Sequence, residues 1–217
     1  MMKRFFSRAA ALLTLSAIAV TALAPASAQS SQVTDLVRRM VAADTVRSYT
    51  ANVHADIAMH SFPFLSPSLD GTYYHKEPSK NKIVFTSGLP FIAKEFSKVY
   101  PEVDSPVNWL QKYDVSMESA NPQFTTLKLI PRKHGRIDHI DAKVDNKTAD
   151  LVELKWNYND GGYAVLDQSY SVIEGHRLVT GQSGHVDVPH YNADLKSKFT
   201  TFHINANIPD SVFADNG

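Results

Sequence analysis

Cysteine is absent from all 217 residues of the sequence. The chain therefore has no disulfide framework, no thiolate ligand for a metal and no cysteine nucleophile. An excess of basic charge is also missing, because 22 lysines and arginines stand against 22 aspartates and glutamates. Proteins that bind nucleic acid usually carry such an excess, so we expect no nucleic-acid partner.

Catalytic motifs are equally scarce. The sequence has no G-x-S-x-G nucleophile elbow and no H-E-x-x-H zinc motif. It also lacks a glycine-rich loop of the kind that holds phosphate groups. These absences favour a protein that binds over an enzyme, and they predict no metal and no cofactor.

A long hydrophobic stretch is missing too, although a short one lies near the N-terminus. Residues 1–8 are basic without an acidic residue, and residues 9–24 are almost wholly apolar. That run of about 16 residues is shorter than the ~20 that a spanning helix needs. Ala26-Ser27-Ala28 then offers a small residue at both positions that a signal peptidase reads. We expect a signal peptide over residues 1–28, cleaved near Ala28, and export to the periplasm.

Cleavage would leave residues 29–217, which is enough for a single domain with one sizeable core. The balance of charge would become 19 basic against 22 acidic residues, or −3 with histidine neutral. No cysteine follows the apolar run, so a lipid anchor on an N-terminal thiol is excluded. The expected product is soluble and monomeric.

One amphipathic helix precedes a series of strands. Apolar residues from Val33 to Val41 recur at helical spacing and predict three to four turns that end near Asp44. From Tyr49 to Met59 apolar and polar residues alternate, which predicts a strand with one buried face. Nine further segments have strand character: 69–75, 82–86, 113–117, 124–130, 137–144, 151–158, 163–173, 177–188 and 198–205.

The connections between these segments favour an antiparallel meander. Residues 145–148, 159–162 and 174–175 are short and rich in Asn, Asp and Gly, which are typical of hairpin turns. The sequence lacks the alternation of strand and helix that would predict a parallel sheet. We therefore expect a mainly β (α+β) fold, in which about ten antiparallel strands curve into an open half-barrel.

Little chain remains to fill the concave face of such a sheet. The N-terminal helix and the segment 87–111 are the only helical elements, and an incompletely filled half-barrel is a natural apolar cavity. We predict that the second segment is a lid over this cavity. The candidate ligand-binding residues are Tyr49, Val53 and Ile57 on the first strand, Phe91, Ile92, Phe96, Val99, Tyr100 and Trp109 in the lid, and Leu154, Trp156 and Tyr158 on the strand 151–158. The alternative is that these side chains form an ordinary packed core.

A metal-dependent enzyme remains an alternative because two groups of residues contain histidines. His185, Asp187 and His190 lie close together in the sequence, and the first two share a strand face. His54, Asp56 and His60 form a similar group. The simpler interpretation of both groups is a solvated end of a strand.

The order of these parts resembles the periplasmic outer-membrane lipoprotein carrier (LolA-like) family. The similarity rests on the strand S-Y-T-A-N-V-H-A-D-I after the helix, on G-T-Y-Y-H-K-E-P, on P-R-K-H-G-R-I, on D-N-K-T-A-D-L-V and on the closing I-P-D-S-V-F. It extends over essentially the whole mature chain. One difference is that Glu77 stands before the turn proline, where the family commonly has an arginine that helps to hold the lid closed.

The resemblance implies a carrier that shelters the acyl chains of a lipid or lipoprotein between two membranes. Its partners would be those acyl chains, together with transfer proteins of the inner and outer membranes. Glu77 favours a lipid-like cargo other than the usual lipoproteins. A periplasmic module that senses lipid or lipoprotein and reports to another protein is the alternative function.

Overall fold

A computed structural model describes residues 26–43, 46–62, 64–86 and 105–214, with side chains of the first helix from Ser30 onward. The signal segment up to residue 25 lies outside these ranges. So do five residues predicted to belong to the lid: Phe91, Ile92, Phe96, Val99 and Tyr100. None of the described helices is long and apolar enough to span a membrane.

The described chain contains ten strands and little helix. Helix α1 is Ala26–Ala43, and a 3-10 turn at Pro106–Asn108 leads into the one-turn helix α2, Trp109–Lys112. A second 3-10 turn, Asp210–Phe213, lies near the C-terminus. The strands are β1 Ser48–Met59, β2 Ser68–Lys76, β3 Lys80–Phe85, β4 Tyr113–Ala120, β5 Phe124–Pro131, β6 Ile137–Asp145, β7 Leu151–Tyr158, β8 Tyr163–Ile173, β9 His176–Val188 and β10 Tyr191–Ile204.

All ten strands form one open antiparallel sheet, as the sequence predicts. Their order is β3-β2-β1-β10-β9-β8-β7-β6-β5-β4, so the first strand of the chain pairs with the last one inside the sheet. Strands β3 and β4, which follow each other along the chain, lie at the two opposite edges of the sheet. An open sheet of this width curves because each strand is rotated against the next.

Period-two alternation decides which side chains face the concave side. In β1 the residues Tyr49, Ala51, Val53, Ala55 and Ile57 are buried, while Asn52, His54 and Asp56 between them are exposed. The last strand shows the same alternation but begins earlier than predicted, at Tyr191 and not at residue 198. In its first half Asp194 and Lys196, on the outer face, alternate with the buried Ala193 and Leu195. The apolar residues alternate there as in the other strands, but the charged residues between them resemble a loop in the sequence.

Helix α1 buries one stripe, made of Val33, Leu36, Val37 and Met40. This is the predicted face except for Val41, which is exposed, and it packs against β4 and the 3-10 turn at Pro106–Asn108. Thr34 Oγ1 donates a hydrogen bond to the carbonyl of Ser30, 3.0 Å away and one turn earlier, so Thr34 lies within the helix and does not cap it.

Positive φ angles occur in the hairpin turns at two glycines and also at Ala149 (60°), Glu174 (49°) and His190 (69°). Gly161 (φ 84°) and Gly175 (φ 83°) both lie in the left-handed region, which costs glycine little. In the β6–β7 turn, the Asp145 carboxylate accepts hydrogen bonds from the backbone N–H groups of Lys147 (2.8 Å) and Thr148 (2.9 Å). The bonds from Thr148 and Lys147 hold the pKa of Asp145 below its usual value. These turns fix the register in which the strands pair.

Candidate ligand-binding site

The concave face of the sheet is divided into two halves. Over β5, β6 and β7 it is filled by the buried stripe of α1 and by the indole of Trp109. We call this region the packed half. Its sheet residues include Leu127, Leu129, Ile140, Ala142, Leu154 and Trp156, all of them buried.

The other half is open and contains a cavity of about 1030 Å³. We call it the cavity half. Its walls come from β1, β2, β3, β8, β9 and β10, and the C-terminal end of α1 forms the border with the packed half. Ile57, Leu166 and Leu195 belong to both regions, since they line the cavity and also belong to the core. The apolar lining consists mainly of Tyr49, Val53, Ala55, Ile57, Leu69, Tyr73, Ile83, Phe85, Leu166, Leu178, Val179, Leu195 and Phe199.

The size of this cavity is that of a small-molecule site. Ligand pockets measure about 300–1,000 Å³ and are mostly apolar with a few placed polar groups. The cavity is partly open to solvent and leaves apolar side chains uncovered by the described part of the chain. The cavity half therefore has the size and the lining of a site for a mostly apolar ligand.

One wall of the cavity carries an ion pair. Arg177 Nε on β9 donates to Asp150 Oδ2 just before β7, at 2.5 Å. Thr148 Oγ1 also donates to that carboxylate oxygen, at 2.7 Å. The Asp150 side chain is only 6% exposed, whereas that of Arg177 is 42% exposed. Both residues line the cavity, and the guanidinium is the more exposed member of the pair.

Tyr170 of β8 lies next to this pair. Its ring centre is 5.8 Å from the guanidinium carbon of Arg177. Its hydroxyl lies 3.0 Å from the carbonyl oxygen of Leu151 and 2.9 Å from Gln168 Oε1. Burial raises the pKa of Tyr170, so the hydroxyl stays protonated and remains a donor.

A second polar group lies at the opposite wall, and its members satisfy one another. Tyr73 donates from its hydroxyl to Asn81 Oδ1 at 2.8 Å, and His75 Nδ1 lies 2.8 Å from the same oxygen. The His75 ring is also stacked on Tyr49, with ring centres 5.0 Å apart. Hydrogen bonds and stacking hold this corner in place, which makes it a supporting wall.

The β2–β3 hairpin at the mouth of the cavity is held by the C-terminal segment. Asp210 Oδ1 accepts from Lys76 Nζ at 2.9 Å and from Lys80 Nζ at 3.0 Å. Lys82 Nζ donates to the carbonyl of Ala214 at 2.8 Å. The two lysines lower the pKa of Asp210 to about 2.

Comparison with known proteins finds similarity in structure only. No protein-family model matches the sequence, and no curated protein does. Among solved structures, a DUF1329 family protein from Desulfovibrio piger has a TM-score of 0.64 at 14% identity, covering 86% of this chain and 98% of that one. An outer membrane lipoprotein-sorting protein domain from Vibrio parahaemolyticus has a TM-score of 0.61 at 10% identity, covering 86% and 97%. A LolA superfamily protein from Nitrosomonas europaea has a TM-score of 0.57 at 10% identity, covering 85% and 98%.

The chain has the LolA-like open-barrel fold. Both the order of its ten strands and the near-complete coverage of these structures agree with that conclusion. At identities of 10–14% the likeness concerns the fold and leaves the ligand open.

The LolA-like sheet separates the predicted site residues into three groups. Tyr49, Val53 and Ile57 lie together in the cavity wall. Leu154, Trp156, Tyr158 and Trp109 are buried in the core with α1 and are not among the described residues that line the cavity. Trp156 is 2% exposed and Trp109 is 1% exposed, and the packing of α1 over them is the reason that they do not reach the open space. The five residues between 91 and 100 lie outside the described part.

The histidine groups assemble only in part as the sequence suggests. His185 Nδ1 and His60 Nε2 both contact Asp194, at 2.7 Å and 2.8 Å, and these contacts lower the pKa of Asp194. His54 Nε2 lies 3.4 Å from Asp56 Oδ1, its neighbour in the sequence group, and His54 Nδ1 lies 2.6 Å from Asp70 Oδ1. The hydrogen bond with Asp70 is the main cause that raises the pKa of His54. Among the described residues, no group of three or more His, Asp or Glu side chains is arranged to hold a metal ion.

Sequence reasoning missed the polar residues of the cavity. Arg177 and Asp150 are 27 positions apart and have no recognisable spacing. A weak signal was available, because Gln168 and Gln182 occupy concave positions on β8 and β9 where the alternation calls for apolar residues. Polar residues at such positions are the ones to examine for a role in binding.

Proposed function

We propose that this protein is a periplasmic carrier or binding protein for lipoproteins or other lipid-like ligands, and that it shelters their acyl chains in the cavity half. The observation that carries the proposal is the contrast between the two halves of one concave face. One is packed by α1 and Trp109, and the other encloses about 1030 Å³ between apolar walls. The role is one of binding, with no catalytic step.

The free energy gained by burying methylene groups supports an acyl ligand. Each methylene that moves from water into an apolar site gains roughly 0.8 kcal/mol. Ten buried methylenes would supply roughly 8 kcal/mol before the costs of association, which are several kcal/mol. Micromolar affinity corresponds to about 8 kcal/mol. We therefore expect affinities in the micromolar range or weaker for single-chain ligands, which suits a carrier that must also release its cargo.

The topology supports a lid. Strand β3 lies at one edge of the sheet and β4 at the other, so residues 86–105 join opposite edges. Ser105, Pro106 and Val107, at the end of this connection, already line the cavity. We include Phe91, Ile92, Phe96, Val99 and Tyr100 in the proposal as the apolar residues of that lid. The predicted signal peptide supports a periplasmic location for this carrier.

A chain-length series tests the proposal. Unlabelled fatty acids from eight to sixteen carbons would compete with an acyl probe whose fluorescence rises in apolar surroundings. Burial predicts about fourfold tighter binding per added methylene, followed by a plateau once the cavity is filled. An affinity that is flat across the series, or a probe that never saturates, would refute the burial of acyl chains.

A further inference from the structure

Polar side chains cross the floor of the otherwise apolar cavity in one row. Ser197, Gln182 and Gln168 lie side by side on β10, β9 and β8, because Ser197 pairs with Gln182 and Gln182 with Gln168. All three line the cavity. Tyr170 extends the row by its hydroxyl contact with Gln168, and Arg177 ends it beside the Tyr170 ring.

This row presents donors to the cavity. The described residues include no acceptor for the two terminal guanidinium nitrogens of Arg177, whose Nε alone binds Asp150. The Gln168 side-chain amide lies 2.9 Å from the Tyr170 hydroxyl, and in either orientation it keeps at least one N–H group for a further acceptor. The Gln182 side chain has no hydrogen-bond partner within the described part of the chain. Guanidinium N–H groups donate only, whereas the Gln182 amide and the Ser197 hydroxyl can also accept.

Arg177 is the more exposed member of its ion pair. The Asp150 side chain, which also lines the cavity, is only 6% exposed and already accepts a hydrogen bond from Thr148. The other charged side chains of the cavity wall are Glu77 and Lys82, both on the β2–β3 hairpin, and Lys82 is bound to the carbonyl of Ala214. Hydrogen bonds from a charged donor to an anionic oxygen are among the strong ones in proteins, and a guanidinium fork fits carboxylate and phosphate in particular.

We propose that the cavity selects amphiphiles with an anionic carboxylate or phosphate headgroup, which binds Arg177, Gln168 and Gln182 while the acyl chain lies against Val53, Leu195 and Phe199. This inference rests on the proposed function and specifies its ligand class. The headgroup is then held inside the cavity, and the chain runs along β1 and β10 towards the opposite wall.

Four amphiphiles with the same twelve-carbon alkyl chain test the proposal by displacement of the fluorescent acyl probe, at concentrations where each is dissolved as a monomer. They are tridecanoate, dodecyl phosphate, dodecanol and dodecyltrimethylammonium. We expect the two anions to bind about tenfold more tightly than the alcohol, and the cation to bind most weakly. The stronger of the two anions identifies the headgroup.

The variant must remove the positive charge and the guanidinium fork without leaving a buried carboxylate unpaired. The double variant R177Q/D150N does so, and it should lose the preference for anions while it keeps the affinity for dodecanol. Arg177→Lys retains the charge without the fork and should keep part of the preference. The matched control is R136Q/D160N, which removes the ion pair between Arg136 and Asp160 at the β7–β8 turn, outside the cavity. Circular dichroism establishes that each variant is folded.

The outcomes separate the two proposals. Equal affinity for all four amphiphiles, or an anion preference that survives in folded R177Q/D150N, overturns the headgroup site and leaves the carrier function standing. Absence of binding by every amphiphile overturns both. A preference that disappears in R177Q/D150N but persists in R136Q/D160N is the expected result.

Discussion

Filling the cavity with a side chain should displace the ligand without harming the fold. Ser197 is half-buried on the concave face of β10 and lines the cavity, whereas Ser183, on the neighbouring strand β9, is exposed on the opposite face. Ser197→Phe would add an aromatic ring to the open space. Ser183→Phe would add the same ring to the solvent side and is the matched control.

The expected loss of affinity follows from the volume of the cavity that the ring takes from the ligand. If the phenyl group displaces about three methylenes of an acyl chain, binding weakens by about 2.4 kcal/mol at roughly 0.8 kcal/mol each. That corresponds to about a 50-fold loss of affinity. Fluorescence titration with an acyl probe measures it, and Ser183→Phe should bind as the unmodified protein does.

Stability provides the second measurement on the same pair. Extra carbon atoms forced into a packed core usually cost about 1–3 kcal/mol. Ser197→Phe should cost less than about 1 kcal/mol in urea unfolding, because the cavity of about 1030 Å³ has room for the ring. A folded Ser197→Phe that binds the probe normally, or one that is destabilised as a packed site would be, would refute the account of an open ligand cavity.

Three further substitutions test the packed half and the mouth of the cavity. Trp156→Ala should lower the free energy of unfolding by about 3–5 kcal/mol, yet leave acyl-probe affinity within about twofold at a temperature where the variant is folded; a selective loss of affinity would place the indole in the site. A methyl group on Gly71 would lie 2.5 Å from the Val84 carbonyl oxygen, so Gly71→Ala should cost about 1–3 kcal/mol in chemical denaturation, while Gly135→Ala, with nothing within 4 Å, should stay within about 0.5 kcal/mol. Similar values for the two glycines would contradict the close pairing of β2 and β3. Because the pKa of Asp210 is depressed to about 2, its contribution to stability is present above about pH 4 and is lost as the pH falls through about 2, so thermal melting of Asp210→Asn should depend less on pH in that window. If the melting temperatures of the two proteins change with pH in the same way between pH 4 and pH 2, that contribution is contradicted.

Most of the sheet could be predicted from the sequence, because alternation and turn chemistry are local properties. Gly161 and Gly175 have the positive φ that glycine accommodates in such turns, and β7 and β8 have the predicted bounds. The start of β10 was wrong by seven residues, since Asp194 and Lys196 lie among its first residues. Charged residues on the solvent face of a strand look like a loop when the buried partner residues are small.

The division of the concave face could not be predicted. Alternation shows that Val53 and Trp156 both face inward, but it does not show whether a helix or a ligand covers each of them. That depends on where α1 docks, which is a long-range property. The Arg177–Asp150 pair and the sharing of Asp194 by His60 and His185 are long-range for the same reason.

Lipid extraction from the mature protein, exported in a double-membrane host and purified without detergent, tests the central claim most directly. The account predicts that mass spectrometry finds an anionic amphiphile with at least one acyl chain, at about one molecule per protein, and that Ser197→Phe purified in parallel retains much less of it. Protein that carries no lipid and also fails to take up a fatty acid added afterwards would contradict the claim that the cavity half holds acyl chains.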